Sequence, residues 1–171
     1  MKSLSHLWLL GLSGSGKSTI GPLLAQKLAL PFTDTDVQIT QSAQRSIPQI
    51  FAAGGEQEFR KWESKIVSQL AQKPPQVISC GGGVVLSPEN RLILAQTGTR
   101  IYLQAEISTL VQRLSHCTDR PLLPPDQLEP NLQRQLAERQ KWYEESDITL
   151  PLNDQSPDQL CQRILRSLAS L

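Results

Sequence analysis

Residues 11–18 read GLSGSGKS, a glycine-rich run closed by a lysine and a serine. The pattern G-x-x-x-x-G-K-[ST] suits one task, the cradling of phosphate oxygens. Glycines let successive backbone N–H groups turn towards an anion, and the start of a following helix adds positive potential. The run from Gly14 through Ser15, Gly16, Lys17, Ser18 and Thr19 is where such a loop passes into its helix. Lys17 has the reach for the outer phosphates of a nucleotide, and the Ser18 hydroxyl is a hard oxygen ligand suited to Mg²⁺. A chance glycine-rich turn would need no particular flanks. Here the strand-like LWLL (7–10) precedes the run, and Ile20, Leu23, Leu24 and Leu28 follow it at helical spacing.

Further residues suit a phosphoryl acceptor. FTDTDVQ (32–38) carries Asp34 and Asp36 one residue apart. In an extended segment residues i and i+2 share a side, so both carboxylates would leave the end of the second strand together. Helix capping is the other reading, and it needs only one of them. CGGGVV (80–85) is either a flexible turn or backbone brought close to a ligand at a strand end. Arg60 lies four residues after Glu56 and three before Glu63, the spacing of ordinary helix ion pairs. Arg139 shares a helical face with Leu132, Leu136 and Tyr143, and helical spacing gives it no acidic neighbour. Such a cation either snorkels or points into a cleft and meets an anion there.

These residues need a scaffold, and the chain alternates strand and helix patterns in the manner of an α/β fold with a parallel sheet. Strands are expected at 7–10, 30–34, 76–79, 100–104 and 147–152, with helices near 17–29, 56–72, 88–96, 106–115, 130–146 and 157–170. SPEN (87–90) and SPDQ (156–159) have the Ser-Pro signature of a helix start. Pro22 falls beyond the first turn of its helix, where a local kink is expected. HCTDRPLLPPDQ (116–127) fits no period, and its prolines mark a mobile functional loop around Arg120.

The chain has 171 residues, so a single domain over 1–171 is expected, with a lid at about 116–126. Net charge is +1 with no Lys/Arg run, so the footprint of a nucleic-acid binder is missing. No apolar run is long enough to span a membrane. MKSLSHLWLLGL resembles a short signal segment, but the phosphate-loop pattern at Gly11 makes its apolar part a buried strand. Cys80, Cys117 and Cys161 have neither metal-ligand nor redox spacing and read as reduced thiols of a cytoplasmic protein.

Together, GLSGSGKSTIG, DTD, SIPQIF, GEQEFRKWE, SCGGG, RPLL and LAERQKWYEESD stand in the order and rough spacing of shikimate kinase. The phosphate loop is generic, but the set of DTD, GE..FR, GGG, RPLL and R...Y is specific, and the resemblance covers nearly the whole chain. It implies a P-loop kinase fold like that of nucleoside monophosphate kinases, a parallel five-stranded sheet flanked by helices, with a mobile lid. It implies ATP-dependent phosphorylation of the 3-hydroxyl of shikimate, with ATP as co-substrate, Mg²⁺ as cofactor and a monomer as the expected state. By the resemblance, the phosphate contacts fall to Gly14, Ser15, Gly16, Lys17, Ser18 and Thr19. Likewise Lys17, Asp36 and Arg120 are catalytic, Asp36, Arg60, Gly82 and Arg139 bind shikimate, and Ser18 and Asp34 serve the metal, Asp34 through water. Gln155 to Pro157, with Arg113, would flank adenine, and Arg120 would swing in with the lid. Cys80 stands where Thr or Ser is common, Gln44 where Gly is usual, Thr40 where Glu is usual, and Ser146 where Ala is usual. The alternatives are a kinase of another hydroxylated acid, such as gluconate, or a non-catalytic nucleotide-binding regulator. The presence of Lys17, Asp36 and Arg120 speaks against the second.

Overall fold

The structure is a computed structural model and describes residues 5–116, 125–153 and 155–171. Five strands form one parallel sheet: β1 (His6–Leu10), β2 (Phe32–Asp34), β3 (Val77–Ser79), β4 (Gly98–Gln104) and β5 (Ile148–Pro151). Their order is β2-β3-β1-β4-β5. All five expected strands are present. Pro151 is tolerated in β5 because this strand is an edge of the sheet, where a missing donor breaks no ladder.

The helices are α1 (Lys17–Leu28), α2 (Thr35–Ala43), α3 (Ile47–Ala71), α4 (Pro88–Thr97), α5 (Ile107–Ser115), α6 (Pro125–Tyr143) and α7 (Pro157–Ala169). α1 runs on through Pro22. Successive residues of β1 face opposite sides of the sheet, and the core divides accordingly. Leu7 and Leu9 pack with α1 and α7 through Ile20, Leu24, Leu160 and Ile164. Trp8 and Leu10 face the other layer, with Ile39, Ile66, Leu94, Leu110 and Tyr143 from the helices between.

Three differences from the sequence reading concern helices. α2 was not expected, nor was the first segment of α3, from Ile47 to the kink at Gly55; the second segment begins after that kink, where a helix near 56 was expected. Ser46 and Gln49 close a reciprocal capping box ahead of Pro48. Gly54 and Gly55 interrupt the periodicity, and Gly55 does leave helical geometry at φ 66°, but the chain resumes its helix at once. α6 starts at Pro125 and carries Pro130 within its first turns, so the expected start at 130 was late. Arg120 and most of the expected lid at 116–126 lie outside the described residues.

β1 is central, and the chain leaves it for β2 on one side and reaches β4 on the other. The carboxyl ends of β1, β2 and β3 therefore open onto the crevice where α/β sheets bind ligands. Leu9 pairs with Ser79, and Asp34 pairs with Ser79 from the other side. The phosphate loop, the Asp34 corner and the glycine stretch after β3 thus stand at one level.

Candidate active site

The loop between β1 and α1 turns through Gly14 at φ 84° and Gly16 at φ 94°, left-handed conformations that cost a side-chain-bearing residue dearly. Gly16 caps α1, and its carbonyl accepts from Thr19 N–H (3.1 Å) and Ile20 N–H (2.8 Å). Lys17 lies folded along the loop: its Nζ donates to Gly11 O (2.7 Å) and Leu12 O (2.9 Å) and reaches Ser15 Oγ at 3.4 Å. Arg113, from α5, donates to Gly14 O at 3.2 Å. A cleft of about 800 Å³ runs over the loop. Asp34, Asp36, Cys80, Gly82, Gln155 and Pro157 also line it.

Asp34 and Asp36 meet in this cleft, but not by the expected geometry. The extended segment ends at Asp34, which caps α2: its Oδ1 accepts from Asp36 N–H (2.9 Å) and Val37 N–H (3.4 Å). Asp36 is therefore in the first helical turn, and the strand periodicity does not apply to it. The two carboxyls have different company. Asp34 Oδ2 accepts from the Ser18 hydroxyl at 3.1 Å. Asp36 Oδ1 faces Gly81, 3.0 Å from where a Cβ would stand. The intervening Thr35 is fully buried, and its Oγ1 accepts from Gly81 N–H at 2.9 Å. Nothing in the sequence pattern marked it; a threonine between two aspartates looks like part of a turn.

Charged side chains crowd Gly81 and Gly83 and lie at ordinary contact distance from Gly82. A Cβ on Gly81 would stand 2.9 Å from Glu63 Oε1, one on Gly82 3.5 Å from Arg139 Nη1, and one on Gly83 2.2 Å from Arg60 Nη1. The groups that approach the stretch are the protein's own charged side chains. Arg60 makes both helical ion pairs, to Glu56 (3.0 Å) and to Glu63 (2.8 Å). It does so beside the glycine stretch, so the pairing does not remove it from the site. Glu63 is only 1 % exposed. Burial pushes its carboxyl up, Arg60 pulls against that, Asp36 adds to the rise and Arg139 opposes it.

Arg139 faces inward and is buried. The expectation that it lacks an acidic neighbour needs correction: its Nε lies 3.8 Å from Glu138 Oε2, a contact between adjacent residues that helical spacing does not anticipate. The contact is long, and Glu138 is over half exposed. Gln135 Oε1 accepts from its Nη1 at 3.2 Å, and the Tyr143 hydroxyl is also in hydrogen-bond contact with the guanidinium. Cys80 is buried beneath the glycines, and burial pushes its thiol well above the ordinary range, with Glu63 adding and Lys17 opposing. Cys80 and Cys161 are free, and Cys117 lies outside the described residues.

A phosphate loop after the central strand, hard oxygen donors beside it and guanidinium groups beside a glycine stretch are the chemistry that phosphoryl transfer to an anionic acceptor calls for. Fold and site together define a small P-loop kinase.

The chain belongs to the shikimate kinase family, ATP-dependent kinases of the shikimate pathway, and its activity is the family's: the model described as Shikimate kinase matches residues 13–169. It is 43% identical over 157 residues to the shikimate kinase of Chlorobium chlorochromatii, covering 87% of this chain and 83% of that one. Its fold is similar to that of a shikimate kinase from Acinetobacter baumannii in complex with shikimate, with a TM-score of 0.93 and 32% identity over 99% of this chain and 95% of that one. A gluconokinase from Sinorhizobium meliloti shares the fold at a TM-score of 0.68 and 20% identity, covering 99% of this chain and 94% of that one.

Proposed function

We propose that this single domain binds shikimate between α3 and α6 and transfers the γ-phosphoryl group of ATP to its 3-hydroxyl. The observation that carries this is Arg139, a buried guanidinium beside Gly82 whose one ion pair is long and made with an exposed carboxylate. Arg60 and Arg139 flank the glycine stretch and grip the acceptor carboxylate, for which a planar guanidinium is the matching partner. The complex of the Acinetobacter baumannii relative with shikimate supports the same acceptor here. Gly82 lends its backbone to the ring. Asp36, at the edge of the cleft, orients the acceptor hydroxyl and takes its proton as the oxygen attacks. The loop from Gly14 to Thr19 holds the phosphates, Lys17 exchanging its loop carbonyls for phosphate oxygens. Arg113, Gln155 and Pro157 flank the adenine end of the cleft. Arg120, outside the described residues, brings a further cation to the transferring group.

The oxygens of Ser18 and Asp34 fit Mg²⁺: they are hard donors 3.1 Å apart, and the other Asp34 oxygen is already committed to backbone N–H groups. Bound there with the phosphates, Mg²⁺ would neutralise charge that develops on them. Among the described residues no helix is long and apolar enough to cross a membrane, and a cytoplasmic monomer is the reading we adopt. Gluconate is the competing acceptor, also a hydroxylated acid, but the gluconokinase likeness reaches the fold alone. Coupled ADP release with shikimate and with gluconate, followed by phosphorus NMR of the product, tests the proposal. Turnover of shikimate to a single 3-phosphate is expected; turnover of gluconate alone, or of neither, would overturn it.

A further inference from the structure

Tyr143 ends α6 and is fully buried, its ring stacked on that of Tyr102 with centroids 4.9 Å apart and planes 16° from parallel. Its hydroxyl donates to the carbonyl of Gly82. Burial pushes the phenol above its ordinary range, with Arg139 opposing, so it remains a donor at any working pH. The neighbouring residues are anchored elsewhere: Gly81 N–H on Thr35, Val84 N–H on Gly81 O, Leu86 N–H on Gly83 O, and the Val84 and Val85 carbonyls on Asn90 and Arg91. Gly82 is the middle of this stretch and has the widest conformational freedom of any residue type. Its peptide plane is set from α6.

A trans peptide directs its C=O and the following N–H in opposite directions. Holding Gly82 O towards Tyr143 therefore turns Gly83 N–H away from it and fixes the pitch of the stretch between Arg60 and Arg139. Tyr143 lies four residues after Arg139, one turn along the same face of α6. One helical turn thus carries both a cation of the acceptor site and the donor that sets the backbone beside it.

Resting on the assignment of this region to the acceptor, we infer that Tyr143 is a positioning residue for shikimate recognition, its hydroxyl holding the Gly82 peptide in the orientation the acceptor meets. Preorganising a glycine peptide lowers the ordering that binding would otherwise require. Tyr143 itself does not line the cleft over the phosphate loop, and Gly82 lies between that loop and Arg139, so the larger effect is expected on the acceptor.

The test is Tyr143→Phe, which keeps the ring stack and removes the hydroxyl with its bonds to Gly82 O and to Arg139, with Tyr102→Phe as control in the same stack. Shikimate affinity by titration, KM for shikimate and for ATP, kcat and melting temperature are measured for the parent and both variants. In Tyr143→Phe, KM and Kd for shikimate should rise about 2- to 10-fold, the equivalent of one neutral hydrogen bond. KM for ATP and kcat should hold, and Tyr102→Phe should match the parent. Unchanged shikimate affinity in Tyr143→Phe would overturn the inference. So would a parallel rise in KM for both substrates, or an equal effect of Tyr102→Phe, since either describes general loosening. A parent that binds no shikimate would instead overturn the acceptor assignment, and this inference with it.

Discussion

Replacing Arg139 with alanine probes the acceptor site where the structure is most specific. Arg139 is 8 % exposed, so its charge is largely desolvated in the folded protein. What it gains from the protein is modest: a neutral acceptor at 3.2 Å, the Tyr143 hydroxyl, and a carboxylate at 3.8 Å that is mostly in water. A neutral hydrogen bond contributes about 1 kcal/mol and an exposed ion pair about 0–1 kcal/mol. Removing Arg139 should therefore cost the fold about 1–2 kcal/mol once relief of the buried charge offsets part of the loss. The acceptor loses more. Its carboxylate would be left facing Arg60 alone, and truncating one partner of a buried charge pair costs about 2–5 kcal/mol. At about 1.4 kcal/mol per tenfold, shikimate affinity should fall between roughly 30-fold and a few thousand-fold. Isothermal titration of the Arg139→Ala variant with shikimate and separately with a non-hydrolysable ATP analogue reads both sides. Nucleotide affinity should stay within about twofold, because a kcal-scale change at one ligand site need not reach a second one unless the sites are coupled. Shikimate affinity equal to the parent's would refute the reasoning, and so would equal losses for both ligands.

The two aspartates should separate under an Mg²⁺ titration. Asp34→Asn keeps a good cap for α2 and should recover activity as Mg²⁺ rises, whereas Asp36→Asn should stay about 10²- to 10⁴-fold down at every Mg²⁺ level; identical responses would defeat the division of roles. In Gly83→Ala the new methyl would stand 2.2 Å from Arg60 Nη1 and push this flexible group aside. KM for shikimate should rise by up to about 10²-fold with KM for ATP unchanged, the scale of a misplacement near 1 Å. Asp147 accepts three hydrogen bonds from Arg100, at 2.8, 3.1 and 3.0 Å, which outweigh its burial and hold its carboxyl below the ordinary 3.8. A depressed carboxyl stabilises the fold above its unfolded pKa and loses that contribution as pH falls through the folded value. The deficit of Asp147→Asn, about 1 kcal/mol at neutral pH for a pair this exposed, should therefore close below about pH 3.8 in denaturant titrations, and a deficit independent of pH would contradict it.

The sheet was legible because each strand is a short apolar run at the right interval, from LWLL at 7–10 to DITLPL at 147–152. α2 was not, because TDVQITQSA buries little beyond Ile39 and Thr35 and carries no strong apolar stripe. Its start signal was present in Asp34, but the eye for extended pairs assigned that carboxylate to a strand face. The segment of α3 before Gly55 was missed because it is a separate short helix, and the chain truly leaves helical geometry at Gly55. The phosphate loop was legible because its chemistry depends on contiguous residues. The acceptor side depends on tertiary approach: Thr35 under Gly81, and Tyr143 against Gly82, are pairs 46 and 61 residues apart that no local pattern encodes. Arg139 was legible as an inward cation from its helical face, and the Glu138 contact was missed because adjacent residues rarely meet on a helix.

The most direct measurement is a crystal structure with shikimate, ADP and Mg²⁺ bound. The shikimate carboxylate should lie within hydrogen-bond distance of both Arg60 and Arg139, with the 3-hydroxyl against Asp36 and the ring over Gly82. A carboxylate engaged by neither arginine, or a hydroxyl other than the 3-hydroxyl facing Asp36, would contradict the account.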